Sequence, residues 1–364
     1  MFALSDSYEG VLPPMKKILL SVPVLLAAVL FLRYDRIVSE SVLEALSVCI
    51  RQIVPALFPF MTVSSLIISA DLAAPFCRFL PMHLFGLPSC TAPVFITGLL
   101  SGFPVGAAGS AQLYASGKIR AREAAVLCAI SSHVSPAFCI GVIGILWNAK
   151  DFGLFLYVCS LVSAVIGGLV FRLTASDKKA SAPRSVPAFP AEKFIPALCR
   201  SVSDAASACL RVTAFIVFFR LLCTLLSMLF PLPDIIISPL LEFSLGCADG
   251  AGKGGIAGAF ITGFAVGFSG LCVLLQICSF LAPHGIPLAP VFLAKSAEGL
   301  LTALAAACYS RFRSMTPVTD VFSVSETCSP AVLFTAVFVL LLVSAAGCTF
   351  LPRRIHTAHK KKGG

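Results

Sequence analysis

Few side chains in this sequence could do chemistry, and those few stand in apolar surroundings. His133 lies in AISSHVSPAF, Glu298 in AKSAEGL, Glu242 in SPLLEFSLG and Arg220 in VTAFIVFFRLLCTLLSMLF. An arginine at the centre of a bilayer costs roughly 2.5–3.5 kcal/mol, so Arg220 requires a partner or a wet cavity. Glu242 and Asp249 are the nearest acidic candidates along the chain. One role for Arg220 is a structural intramembrane charge whose ion pair orders the second half. His133 and Glu298 could hydrogen-bond a polar solute or carry a proton. The alternatives are a satisfied core histidine and a Lys295–Glu298 pair along one helix turn.

Backbone groups are the second source of chemistry. FITGLLSGFPVG, residues 95–106, places Gly98, Gly102, Gly106 and Pro104 inside an apolar stretch. Glycines four apart serve close helix packing, which accounts for Gly98 and Gly102 but less well for Pro104. Glycine permits a turn, and proline removes a donor and stops a helix. A helix broken inside lipid frees N–H and C=O groups, tolerated only where protein buries them or where they line a wet cavity. Those groups can then hold a polar solute.

The element recurs. FITG returns at 260–263, 165 residues later, and FITGLLSGF falls on FITGFAVGF. In that frame Gly98 meets Gly263, Gly102 meets Gly267, Phe103 meets Phe268, Ser131 meets Ser296 and His133 meets Glu298. Upstream the frame slips to 160, laying CIRQIVPALFPF (49–60) on CLRVTAFIVFFR (209–220) with Arg51 on Arg211. Paired halves with Gly/Pro-interrupted hydrophobic segments mark the midplane site of many secondary transporters. The candidate substrate-binding set is therefore Gly102, Phe103, Pro104, Gly106, Ser132, His133, Glu242, Gly267, Gly270, Gln276 and Glu298.

These residues need membrane elements to position them. The chain is 58% hydrophobic and 12% charged, with a mean hydropathy of +0.97. Soluble domains carry about a quarter charged residues, so this is a multi-pass membrane protein. Apolar runs predict about eight spanning or re-entrant segments, near 16–32, 53–70, 91–115, 137–148, 152–172, 212–230, 256–282 and 331–350. Stretches 235–248 and 288–309 are further helical or re-entrant candidates. Segment 37–50 reads as an interfacial amphipathic helix. Residues 174–193, rich in Ser, Ala, Pro and Lys, read as a linker. Lys16-Lys17 before an apolar run imitates a secretory signal, but no small-x-small site precedes Arg33, so the run is expected to be a retained helix.

Several functions are set aside. The net charge of +10 gathers in Lys16-Lys17, Lys178-Lys179 with Arg184, and Arg353-Arg354 with Lys360–Lys362. That suits loops facing anionic lipid, and no basic stretch interleaves with aromatics as nucleic-acid binding requires. The 15 cysteines lack any CxxC and read as small buried hydrophobes. GCADGAGKGG (246–255) fails the phosphate-loop pattern, because Cys247 replaces its first glycine and Gly254 its Ser/Thr. It reads as a loop. HExxH and GxSxG are both missing, so no enzyme, metal or cofactor is expected.

SGFPVGA (101–107) resembles the signature of the sporulation integral membrane protein family (YlbJ type), within the nucleoside-recognition or Gate domain superfamily. LYASGKIRARE (113–123), SSHVSPAFCIGVIG (131–144), LLEFSLG (240–246) and GFSGLCVLLQ (267–276) resemble further family elements in the same order. The sequence departs from that pattern at Ala108, where the family usually has a basic residue, and at Ser132-His133, where it has an Asn pair. The resemblance implies a bacterial cell-membrane protein of an endospore former, needed for spore cortex or envelope formation. It also implies a solute-handling fold with nucleosides as the ligand class.

Together these readings predict an all-α polytopic membrane bundle of two repeat-related halves with broken helices. The expected divisions are a tail and first helix (1–36), a first Gate-like repeat (37–172), the linker (173–193), a second repeat (194–310), and a loop, last helix and basic tail (311–364). The expected partners are membrane lipid, a small polar solute, and spore-envelope proteins or a second copy of the chain. The rival expectation is a non-transporting scaffold for spore-envelope assembly.

Overall fold

A computed structural model describes residues 14–69, 82–173, 194–230 and 234–313. Every regular element among them is helical. The N-terminal part comprises α1 (Pro14–Arg33), α2 (Asp35–Val48) and α3 (Val54–Ser69), with a π-helical turn over Cys49–Ile53. Next come α4 (Ala92–Ser101), α5 (Val105–Ala115), α6 (Ala121–Ser131), a π-helical turn at Phe138–Ile143 and α7 (Lys150–Leu173). The C-terminal part comprises α8 (Phe194–Leu229), α9 (Asp234–Leu241), α10 (Phe243–Lys253), α11 (Gly255–Phe268), α12 (Gly270–Leu281) and α13 (Ala289–Phe312).

Among the described residues, four stretches are long and apolar enough to cross a membrane: Lys150–Leu173, Phe194–Leu229, Gly255–His284 and Ala289–Phe312. Their burial sorts them. In α7 only 28% of the most apolar window is buried, against 72% in Gly255–His284. Leu154, Val158, Val162, Ile166 and Val170 of α7 are exposed at helical spacing, while Gly153, Leu156, Ser160, Ser163 and Ala164 face inward. An apolar outer stripe with small and polar residues inside is how a peripheral helix contacts lipid. The α11–α12 run forms the centre.

Close backbone approach holds that centre together. A Cβ on Gly263 would lie 2.6 Å from the Ala306 Cβ, and one on Gly267 would lie 2.5 Å from the Glu298 carbonyl. Gly299 answers from α13, meeting the Phe268 side chain. With no side chains between them, α11 and α13 pack along their length by dispersion.

The segments differ from the sequence reading in several places. The 91–115 run is α4–break–α5, and 256–282 is α11–break–α12. The 137–148 run is too short to cross, at about 1.5 Å per residue, and continues beyond the unwound end of α6. Sequence reading missed α6 because its 11 residues, AREAAVLCAIS, open with two charges. The backbone N–H of Arg120 donates to Glu123 at 2.7 Å and fixes its start. α8 begins 18 residues before the predicted 212. Residues 246–255 are not a loop: Glu242 caps α10, and Gly250 lies against Gly258 where α10 meets α11. In α2 the buried residue is Ala45, followed by Cys49 of the π turn. Leu43 and Ile50 are exposed, so the helix packs its small side on α8 through Ser41–Thr224. The linker at 174–193 and the span at 331–350 lie outside the described residues.

Candidate functional site

Four backbone breaks meet in two pairs. The first break follows α4. Gly102 takes φ +71°, the Phe103–Pro104 peptide is cis, and α5 starts at Val105. The second follows α6, where residues 132–135 leave the helix. The Phe103 N–H donates to the His133 carbonyl at 2.9 Å. A Cβ on Gly102 would lie 2.7 Å from the Ser135 nitrogen, so glycine is required for both the turn and the approach. The third break is extended Glu242, between α9 and α10. The fourth lies between α11 and α12, where Ser269 and Gly270 both take φ +72°. A Cβ on Gly270 would lie 3.0 Å from the Leu241 carbonyl. Phe243 joins the pairs, its ring centroid 6.0 Å from that of Phe103 and 5.0 Å from that of Phe138.

A buried polar network sits on the first pair. Glu298 Oε2 accepts from Lys295 Nζ at 2.7 Å, and Oε1 accepts from Ser160 Oγ at 2.6 Å. His133 Nδ1 lies 3.2 Å from the same Oε1, and its Nε2 lies 2.7 Å from the Ile130 carbonyl. All four side chains are at most 2% exposed. Lys295 also faces the Phe103 ring, 5.3 Å from its centroid, a cation–π contact. The network thus reaches from α13 across α6 and α7 to the SGFP turn.

A second buried charge pair holds the third break. Glu242 accepts from the Ser244 and Leu245 N–H groups at 3.1 and 2.9 Å, and from Ser244 Oγ at 2.6 Å. This is an N-cap, placing the carboxylate at the positive end of α10. Arg220 Nη2 donates to Ser244 Oγ at 3.2 Å, and its Nε lies 3.7 Å from Glu242. Of the two acidic neighbours considered, Glu242 meets the arginine. Asp249 accepts from Ser238.

Two cavities flank the SGFP turn. One of about 50 Å³ is lined by Ser101, Phe103, Ser135, Phe138, Phe243 and Gln276, among others. It has room for a few waters. The other, about 240 Å³, lies between α3, α5, α8 and α12. Pro104, Ala108, Gly109 and Gln112 line it from α5 and its cap, and Arg200, Asp204 and Arg211 from α8. Those three charged residues and Gln112 are exposed, so the cavity opens at the protein surface.

The predicted set therefore divides. His133 and Glu298 touch each other, and Gly102 and Phe103 touch His133. Phe103 and Gln276 line the small cavity, and Pro104 the large one. Gln276 Nε2 donates to Cys272 Sγ at 3.3 Å. Ser132 Oγ lies 3.5 Å from Cys128 Sγ. Gly106 packs against Ser131 and Gly267 against Glu298 and Thr302, with no room for a solute. Glu242 is occupied as a cap, and Gly270 makes the fourth turn. Gly102 and Gly267, paired at the 165-residue offset, each abut the carbonyl of a paired residue, His133 and Glu298. Their backbones differ: Gly102 breaks a helix, whereas Gly267 lies inside α11. Sequence reading missed Ser160, an ordinary serine in an apolar helix, and Ser269, whose left-handed backbone only the GFSG glycines hint at. Among the described residues no group of three His, Cys, Asp or Glu could hold a metal ion. No family model, curated protein or solved structure matches this chain.

Proposed function

We propose that this chain is an integral membrane protein, built of two repeat-related halves, that binds a small polar solute and carries it across the membrane. The observation that supports this reading is the SGFP break. It stands between a surface-open cavity of about 240 Å³ and a small, mainly apolar cavity into which Ser101, Ser135 and Gln276 bring polar groups. At about 240 Å³ the outer cavity is smaller than the roughly 300 Å³ at which ligand pockets usually begin, so it would take only a small solute, no larger than a sugar or nucleoside. Movement of the Phe103–Pro104 turn would join the two spaces. The resemblance of SGFPVGA to the sporulation family supports a role in spore cortex or envelope formation.

The test is a thermal-shift screen of the purified protein against nucleosides, bases, amino acids, sugars and cell-wall precursors. A ligand at a hundred times its Kd stabilises by about 2.7 kcal/mol. A saturable shift should be lost in Ala108→Trp, which fills the outer cavity. Failure of every compound, with normal spore formation by that variant, would reject the carrier in favour of a scaffold.

A further inference from the structure

We propose that the His133–Glu298 contact binds one proton, and that this proton holds the first pair of helix breaks together. The argument begins with the histidine ring. A carbonyl oxygen only accepts hydrogen bonds, so Nε2, 2.7 Å from the Ile130 carbonyl, carries hydrogen. The other nitrogen, Nδ1, lies 3.2 Å from Glu298 Oε1 and 3.4 Å from Ser160 Oγ. Ser160 gives its single hydrogen to Oε1 at 2.6 Å, and Lys295, whose ammonium carries three, directs one to the other oxygen, Oε2, and faces the Phe103 ring. Nothing is left to fill the gap between Nδ1 and Oε1 except a further proton. Whether it resides on nitrogen or oxygen, the cluster of Lys295, Glu298 and His133 carries one positive charge with it and none without it.

Loss of that proton sets a nitrogen lone pair against a carboxylate oxygen in a buried site, where unpaired polar atoms are costly. Turning the Ser160 hydroxyl toward Nδ1 only moves the conflict to Oε1. The contact must open. His133 is also the residue whose carbonyl accepts from Phe103 N–H, so its departure loosens the SGFP turn. The charged groups acting on Glu298 are Lys295 and His133. From the other elements, α6 presents the Cys128 thiol beside Ser132, α7 the Ser160 hydroxyl, α11 the Gly267 backbone and the first break the Phe103 ring. The released proton must pass to water, and the residues that follow His133, Val134 and Ser135, line the small cavity. The inference deepens the carrier reading, in which the proton becomes the coupling ion.

The experiment needs no solute. Nitrogen NMR of histidine-labelled full-length protein between about pH 5 and pH 9 follows each imidazole through its usual range. One ring, absent in His133→Gln, should pass from both nitrogens protonated or hydrogen-bonded to the neutral Nε2–H form. Over the same interval, the protection factor of the peptide containing Phe103, its exchange corrected for the rise of the intrinsic rate with pH, should fall at least about tenfold, roughly 1.4 kcal/mol. In Lys295→Met/Glu298→Gln the amide N–H of the new glutamine can donate to neutral Nδ1, so protection should persist to high pH without titration. This charge-balanced variant also identifies the ring if His133→Gln does not fold. A His133 ring unchanged across the range, or a titration that leaves Phe103 protection untouched, overturns the proposal. Those outcomes are independent of the solute screen: a titrating His133 with no solute shift rejects the carrier alone, and the reverse rejects the proton site alone.

Discussion

At Gly102 two demands coincide, and they can be separated by experiment. Gly117 has the same φ of +71° but nothing within 4 Å of its missing side chain. Gly117→Ala should therefore cost only the left-handed backbone penalty, about 1–2 kcal/mol. Gly102, at φ +71° and ψ −156°, lies in a region open to little but glycine, and Gly102→Ala adds a collision with the Ser135 backbone, so it should cost about 1–3 kcal/mol more. Chemical denaturation of both variants in detergent should rank them in that order; equal losses would mean that the approach of the two breaks is unimportant. Arg220 makes the same kind of comparison possible for charge. Arg220→Met strips the buried Glu242 of its cation and should lose about 3–5 kcal/mol. Adding Glu242→Gln should recover part of that loss, because the carboxylate rather than the lost contact is the main cost.

Among the elements, α11 and α13 depend on glycine as a surface rather than as a hinge. Gly263→Leu drives a side chain into Ala306 and the Thr302 carbonyl, so the variant should yield little folded protein by size-exclusion chromatography. Gly167→Leu in α7, with open space around it, should behave as the parent does. The outer stripe of α7 gives a second element-scale test. In a cysteine-free background, Val162→Cys should react with a membrane-dissolved maleimide, and Ala164→Cys, which faces inward, should not. Reaction at both positions would show that α7 does not pack as described.

Among the described residues the molecule is helical, and its buried charged or titratable polar side chains, His133, Arg220, Glu242, Lys295 and Glu298, fall into two clusters. One buried network lies on the first pair of breaks and a second buried pair on the third break. Each is anchored by a carboxylate: Glu298 accepts from Lys295, and Glu242 accepts from the first N–H groups of α10 with Arg220 as its ion-pair partner. Orientation follows from charge outside the spans. The basic linker at 174–193 should face the cytoplasm, and a reporter inserted near residue 183 should show it. A reporter signal from the opposite face would reverse that orientation.

Composition and hydropathy were enough to read an all-helical structure, among the described residues, with helices long and apolar enough to cross a membrane, because lipid tolerates only internally satisfied backbone. The stretch FITGLLSGFPVG also announced one place where helix geometry would be interrupted, since Gly102 and Pro104 have few other uses inside an apolar run. What the sequence could not decide was which interruptions are breaks. Gly267 reads like Gly102 but stays helical, because its missing side chain admits the α13 backbone and the turn falls at Ser269 and Gly270 instead. Nor could spacing along the chain tell that His133, Ser160, Lys295 and Glu298 share one site while Glu242 serves as a cap. Those assignments depend on side chains from α6, α7 and α13 converging over a distance of up to 165 residues, and only tertiary packing brings them within hydrogen-bond reach.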